Sequence, residues 1–131
     1  HPTEPRVIAV LDWELSTIGH PLGDFTYHLV PWLVPDMGNK MSSLAGLDLE
    51  SLGIPTEQQY TARYCELTGR DGIDNMDYYR AYTVWRIAAI YQGIVKRAED
   101  GTAASANAPT DASMVRKLAE RAMEFAQRAG I

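Results

Sequence analysis

The chain has 131 residues, 46% of them apolar, which is enough to close one ordinary core, and its 12 Lys and Arg against 17 Asp and Glu leave a formal charge of −5. With no basic stripe interleaved with aromatics, nucleic acid is excluded as an expected partner, and the single cysteine, Cys65, rules out an internal disulfide or a thiolate-rich zinc site and suits a reducing, cytoplasmic setting. Pro31, Pro35, Arg80 and Arg86 break the longest apolar stretches short of the roughly 20 residues that a membrane span needs, so no membrane association is expected.

The chain opens on His1 with no charged region followed by an apolar one, so no secretion signal is expected. Residues 7–11 (Val-Ile-Ala-Val-Leu) form an unbroken apolar run behind Pro2 and Pro5, the pattern of a fully buried strand or of the start of a core helix. Gly19 and Pro21 then predict a loop, and Asp24 stands where an N-cap belongs, ahead of Phe25, Leu29 and Trp32 at helical spacing. Pro31 and Pro35 lack an amide hydrogen and kink or end that helix. Residues 36–55, with Gly38, Gly46 and Gly53, read as an irregular excursion.

Thr56 with Gln59 is a capping-box pattern, and the helix it opens runs through Tyr60, Tyr64 and Leu67 to a stop at Gly69. Asp74 is predicted to open the longest helix, in which Met76, Tyr79, Thr83, Ile87, Ile90 and Ile94 recur until Gly101. Its middle, 84–91, is apolar nearly all round apart from Arg86, which predicts a central, buried helix. Thr110 or Asp111 caps a last helix with Val115, Leu118, Ala122 and Phe125 on one stripe. Arg116 with Glu120, and Glu124 with Arg128, are spaced to pair on its outer face.

The stretch with chemistry is Val7-Ile8-Ala9-Val10-Leu11-Asp12-Trp13-Glu14, followed by Gly19-His20-Pro21-Leu22-Gly23-Asp24-Phe25. An apolar strand that delivers an aspartate to its own C-terminal end can hold magnesium against nucleotide phosphates, since that ion takes one or two carboxylates plus phosphate and water oxygens. The plain alternative for Asp12 is a turn or cap residue. Glu14, two residues on, shares a face with Asp12 if the chain is extended, and could reach a metal shell or a substrate hydroxyl, or stay solvated.

The whole string resembles the C-terminal lobe of aminoglycoside phosphotransferase and choline kinase relatives. Their metal-binding segment reads as an apolar strand, then Asp-Trp or Asp-Phe, then Gly-x-Pro-x-x-Asp, and here those positions are Asp12, Trp13, Gly19, Pro21 and Asp24. Asp12 to Ser16, and the helix segment Trp85-Arg86-Ile87-Ala88-Ala89-Ile90-Tyr91-Gln92-Gly93, are similar to the kinase-like domain associated with acyl-CoA dehydrogenases and its bacterial stand-alone relatives. The resemblance implies that Asp12 is a Mg2+ ligand and that Asp24 caps the following helix as structural support. It also implies ATP as co-substrate, with a small-molecule hydroxyl or amine as acceptor.

The same family needs a glycine-bearing nucleotide loop, a phosphate-binding lysine and a His-Gly-Asp loop followed by Asn, whose aspartate takes the acceptor proton. None occurs in this sequence, and the family spacing puts that loop just upstream of His1. The expected fold class is therefore mainly α (α+β). Residues 1–131 are read as a partial phosphotransferase domain, with a strand or hairpin and the metal-binding segment in 1–14 and helices in 21–35 and 56–130. Such a piece is expected to be inactive alone and to complete its site with an N-terminal lobe in cis. The rival is a non-catalytic helical interaction module, a homodimer that covers the apolar patch around 7–11.

Other groups are weaker candidates. His20 and His28 are eight residues apart with no third metal-type ligand at suitable spacing, and read as surface or loop histidines. Ser16, Ser42, Ser43 and Ser113 stand in no glycine-flanked nucleophile elbow. Tyr78, Tyr79, Tyr82, Trp85 and Tyr91 are spaced either to fill a core or to line an acceptor pocket.

Overall fold

The computed structural model describes residues 1–36, 43–105, 108 and 111–131. After a 3-10 turn at Trp13–Leu15 come five helices: α1 (Pro21–His28), α2 (Val30–Leu33), α3 (Glu57–Thr68), α4 (Met76–Glu99) and α5 (Ser113–Ala129). The expected helical lobe is present, but among the described residues there is no strand. Residues 7–11 make no backbone hydrogen bond among them, and Val7, Ile8, Val10 and Leu11 are 82, 61, 76 and 81% exposed. An apolar run becomes a strand only when a neighbouring backbone completes its ladder, and no described segment supplies one.

α1 begins three residues before its expected cap. Pro21 takes the first helical position, where its fixed φ is already helical and its missing amide hydrogen costs nothing, and His20 is the N-cap residue. Asp24 is therefore not the N-cap; it lies in the first turn and makes no capping hydrogen bond, where its charge faces the positive end of the helix dipole. Leu29 ends α1, and Pro31 stands in the first turn of α2, so the prolines break the helix as expected. Part of the irregular stretch, 37–42 with Gly38 and Ser42, lies outside the described residues.

Local signals set the ends of α3. The Thr56 hydroxyl accepts from the Gln59 amide at 3.2 Å while the Gln59 side chain accepts from the Thr56 amide at 2.8 Å, and Gly69 stops the helix at φ 66°. α4 starts two residues after Asp74, at Met76. Its middle is not buried all round: Thr83, Val84, Ile87 and Ala88 are inside, but Trp85 and Ile90 are exposed. Helices α1 and α2 cover one side of α4 and α5 another, leaving a third side open.

α5 buries Met114, Leu118, Ala122 and Phe125, so its stripe starts at Met114 and Val115 is only partly covered. Asp111 accepts from the Ser113 amide at 2.8 Å, and Thr110 lies outside the described residues. The expected outer pairs are replaced: Arg121 binds Glu124 at 2.6 Å and Arg128 reaches Asp77 on α4 at 3.2 Å. The core joins α1, α2, α4 and α5 through Leu22, Phe25, Leu33, Val84, Leu118 and Phe125.

Candidate functional site

The N-terminal motif folds into a turn that projects Asp12. Its backbone is left-handed, φ 59° and ψ 34°, a conformation that non-glycine residues avoid and that Asp and Asn tolerate best. The Asp12 carboxylate is exposed and makes no hydrogen bond or ion pair among the described residues. Glu14 falls inside the 3-10 turn, so the side-chain alternation of an extended chain, on which its placement beside Asp12 was argued, does not apply. Asp12 is one exposed carboxylate of a hard-oxygen type that suits magnesium. Among the described residues, no group of three or more His, Cys, Asp or Glu is placed to hold a metal.

Downstream of that turn, residues 16–24 and α4 enclose a polar hollow of about 460 Å³ walled by Ser16, Thr17, Gly19, His20, Gly23, Asp24, Tyr82 and Arg86. Of the predicted site residues, the structure brings Asp24 into this wall; Asp12 and Glu14 lie outside it. The wall is held in place by a buried tie between α1 and α4, where the hydroxyls of Thr26 and Thr83, both fully buried, stand 2.9 Å apart and Thr26 also donates to the Leu22 carbonyl at 2.7 Å. His20 stacks on Tyr79 at 5.6 Å. Arg86 lies over the Tyr27 ring, 4.9 Å from its centre.

Sequence reasoning treated Arg86 only as an interruption of an apolar helix, and that interruption was its signal. His28 pairs with the Tyr60 hydroxyl at 3.0 Å and stands on the surface like His20, as expected of both. The aromatics of α4 divide: Tyr79 and Tyr91 pack against the core, while Tyr78, Tyr82 and Trp85 line an apolar groove of about 350 Å³ between α4 and α5.

A separate ionic cluster ties three helices together. Arg80 donates to Glu57 at 2.6 Å and to Asp77 at 2.8 Å, and Arg128 reaches the same aspartate. Partial burial pushes the Asp77 carboxyl up, but the hydrogen bonds and charges of Arg80 and Arg128 outweigh that and hold it below its ordinary range. For Arg80, burial opposes the charge, and the hydrogen bonds and charges of Asp77 and Glu57 prevail, raising its pKa. This cluster stands clear of the hollow's wall.

No family model matches the chain. The chain is 48% identical to a candidate aminoglycoside phosphotransferase of Ralstonia eutropha JMP134, whose crystal structure it overlays with a TM-score of 0.85 over 98% of its own length and 38% of that chain. It is also 39% identical over 130 residues to acyl-CoA dehydrogenase family member 10 of Mus musculus, covering 99% of the chain and 12% of the relative. Acyl-CoA dehydrogenase family member 11 of Homo sapiens is 36% identical over 133 residues, with 98% of the chain and 16% of the relative covered. The chain thus spans less than two fifths of the proteins it matches. Identity near one half and a common fold across nearly every residue make the chain similar to a helical lobe of an aminoglycoside phosphotransferase-like protein, and similar also to a segment of acyl-CoA dehydrogenase family members 10 and 11.

Proposed function

We propose that residues 1–131 form the C-terminal, helical part of a cytoplasmic, ATP-dependent phosphotransferase that passes the γ-phosphoryl group to a hydroxyl, or an amine, of a small molecule. The observation that carries this reading is the 48% identical fold match across 98% of the chain. In that reading Asp12 is a Mg2+ ligand, and its unpartnered carboxylate on an exposed turn supports the role. Asp12 would hold the ion, whose positive charge would offset negative charge on the transferred phosphoryl group. Asp24 supports the segment after the turn from within the first turn of α1, and Glu14, in the 3-10 turn that follows Asp12, would lie near the metal without binding it or would meet substrate. The base, the following Asn and the phosphate cradle come from residues outside this chain, joined in cis.

The test compares Asp12→Asn with wild type in the full-length protein. Because Asp12 makes no contact that stabilises the fold, the variant should unfold at the same temperature while ATP-dependent phosphotransfer falls at least about a hundredfold. Calorimetry on the 131-residue chain alone should find no tight binding of ATP with magnesium. Unchanged phosphotransfer in the variant, or tight nucleotide binding by the chain alone, would falsify the assignment.

A second reading, a non-catalytic helical module that self-associates, is favoured by one observation: the apolar side chains of residues 7–11 are exposed and their backbone is unpaired.

A further inference from the structure

The polar hollow holds a guanidinium that forms no ion pair, although the Asp24 carboxylate lines the same hollow. Among the described residues, Arg6, Arg63, Arg80, Arg121 and Arg128 each bind a carboxylate; Arg86, like Arg70, Arg97 and Arg116, forms no ion pair, and of these four it alone lines the polar hollow. It is nonetheless held: its guanidinium carbon lies over the Tyr27 ring, 4.9 Å from its centre, and α4 around it is anchored to α1 by the buried hydroxyl pair. Packing against a ring face restrains a long side chain without using its N–H donors. The same hollow is lined by Thr17, the exposed His20 and Gly19, beside which an added Cβ would meet nothing within 4 Å. A restrained guanidinium in a polar concavity has the chemistry of an oxyanion site, because its fork matches a carboxylate or phosphate with two parallel hydrogen bonds.

We propose that Arg86 is a specificity-determining residue that binds an oxyanion, a carboxylate or phosphate group, of the small molecule this hollow accepts. That the molecule is the phosphoryl acceptor rests on the function proposed above; that an oxyanion binds at Arg86 does not. Asp24 lines the same hollow and opposes an anion there, so binding at Arg86 is weakened by it and selects a ligand whose negative end lies at the α4 side.

The experiment is an NMR titration of the chain with inorganic phosphate and, separately, with acetate, each at ionic strength held constant with chloride. Saturable shifts are expected at Thr17, Gly19, His20 and the Arg86 Nε–H. The dissociation constant should rise about tenfold in Arg86→Gln, rise less in Arg86→Lys, and fall in Asp24→Asn. Saturation by phosphate alone assigns a phosphate-type group, and saturation by acetate assigns a carboxylate; either supports the proposal. Shifts no larger than chloride produces, or equal affinity in Arg86→Gln, overturn it. Arg86 is exposed, so unchanged amide shifts along α4 verify that both Arg86 variants fold. Anion binding without phosphotransfer in the full-length protein defeats the kinase reading and leaves this site standing. An active kinase in which Arg86→Gln changes neither anion binding nor the acceptor KM does the reverse.

Discussion

At the scale of single residues, the ion-paired carboxylate and those proposed for the site are told apart by their partners. Asp77 receives two guanidinium groups and is held below its ordinary pKa, whereas Asp12 and Asp24 receive none among the described residues. A carboxyl whose folded pKa is depressed stabilises the fold above its unfolded value, and that contribution is lost as pH falls through the folded one. Asp77→Asn should therefore lower stability by about 1 kcal/mol at pH 7, a modest figure because the side chain keeps a quarter of its exposure. The gap from wild type should close as pH drops below about 4, in denaturant melts across that range. A gap that stayed constant down to pH 2 would mean the pairing adds nothing. Asp12 could be proposed from the sequence because its signal is local, an aspartate after an apolar run and ahead of Gly-x-Pro-x-x-Asp. The surroundings of Arg86 and the pairing of Asp77 with Arg128 could not, because each is assembled from segments about 50 or more residues apart, whereas Asp77 with Arg80 is a local pair three residues apart.

At the scale of elements, legibility follows how much of an element's definition lies within itself. The capping box of α3 and the spaced apolar residues of α5 were readable because helix ends and faces are set by neighbours within four positions. The start of α1 was misplaced because proline at the first helical position competes with an aspartate cap, and proline won. The exposed side of α4 was unreadable because it depends on how many helices come to cover it. Besides the core packing, the Thr26–Thr83 pair ties α1 to α4, and so the wall of the hollow. Thr26→Val keeps the side-chain shape and removes the hydroxyl, leaving Thr83 without its partner on α1, and should cost about 1 to 2 kcal/mol. Adding Thr83→Val removes both polar groups together, so the double variant should be destabilised by clearly less than the sum of the two single changes. Additive losses in urea titrations would show that the two hydroxyls do not act on each other.

The whole molecule carries more surface than its mass accounts for. A compact monomer of 14.6 kDa exposes about 6,900 Å² by the usual scaling, and this chain exposes 9433 Å². The difference exceeds what one partner buries in a standard protein interface, about 800 Å². Part of it is identifiable: Val7, Ile8, Val10, Leu11, Trp13 and Ile18 all stand open, and the backbone of residues 7–11 has donors and acceptors that no described residue meets. An apolar segment with a free backbone edge pairs with whatever edge is offered, and in a solution of this chain alone the edge offered is another copy. The 131-residue chain should therefore self-associate at concentrations up to roughly 100 μM, and Val10→Lys with Ile18→Lys should return it to monomer with helix content unchanged. Sedimentation velocity reads both. The pair of substitutions removes only exposed side chains, so a loss of helix on making them would contradict the structure, and a wild-type chain that stays monomeric would remove the case for the self-associating module. In the full-length protein, by contrast, the same segment is proposed to be covered in cis. Hydrogen exchange should then find the amides of residues 7–11 protected there and unprotected in the monomeric double variant of the chain.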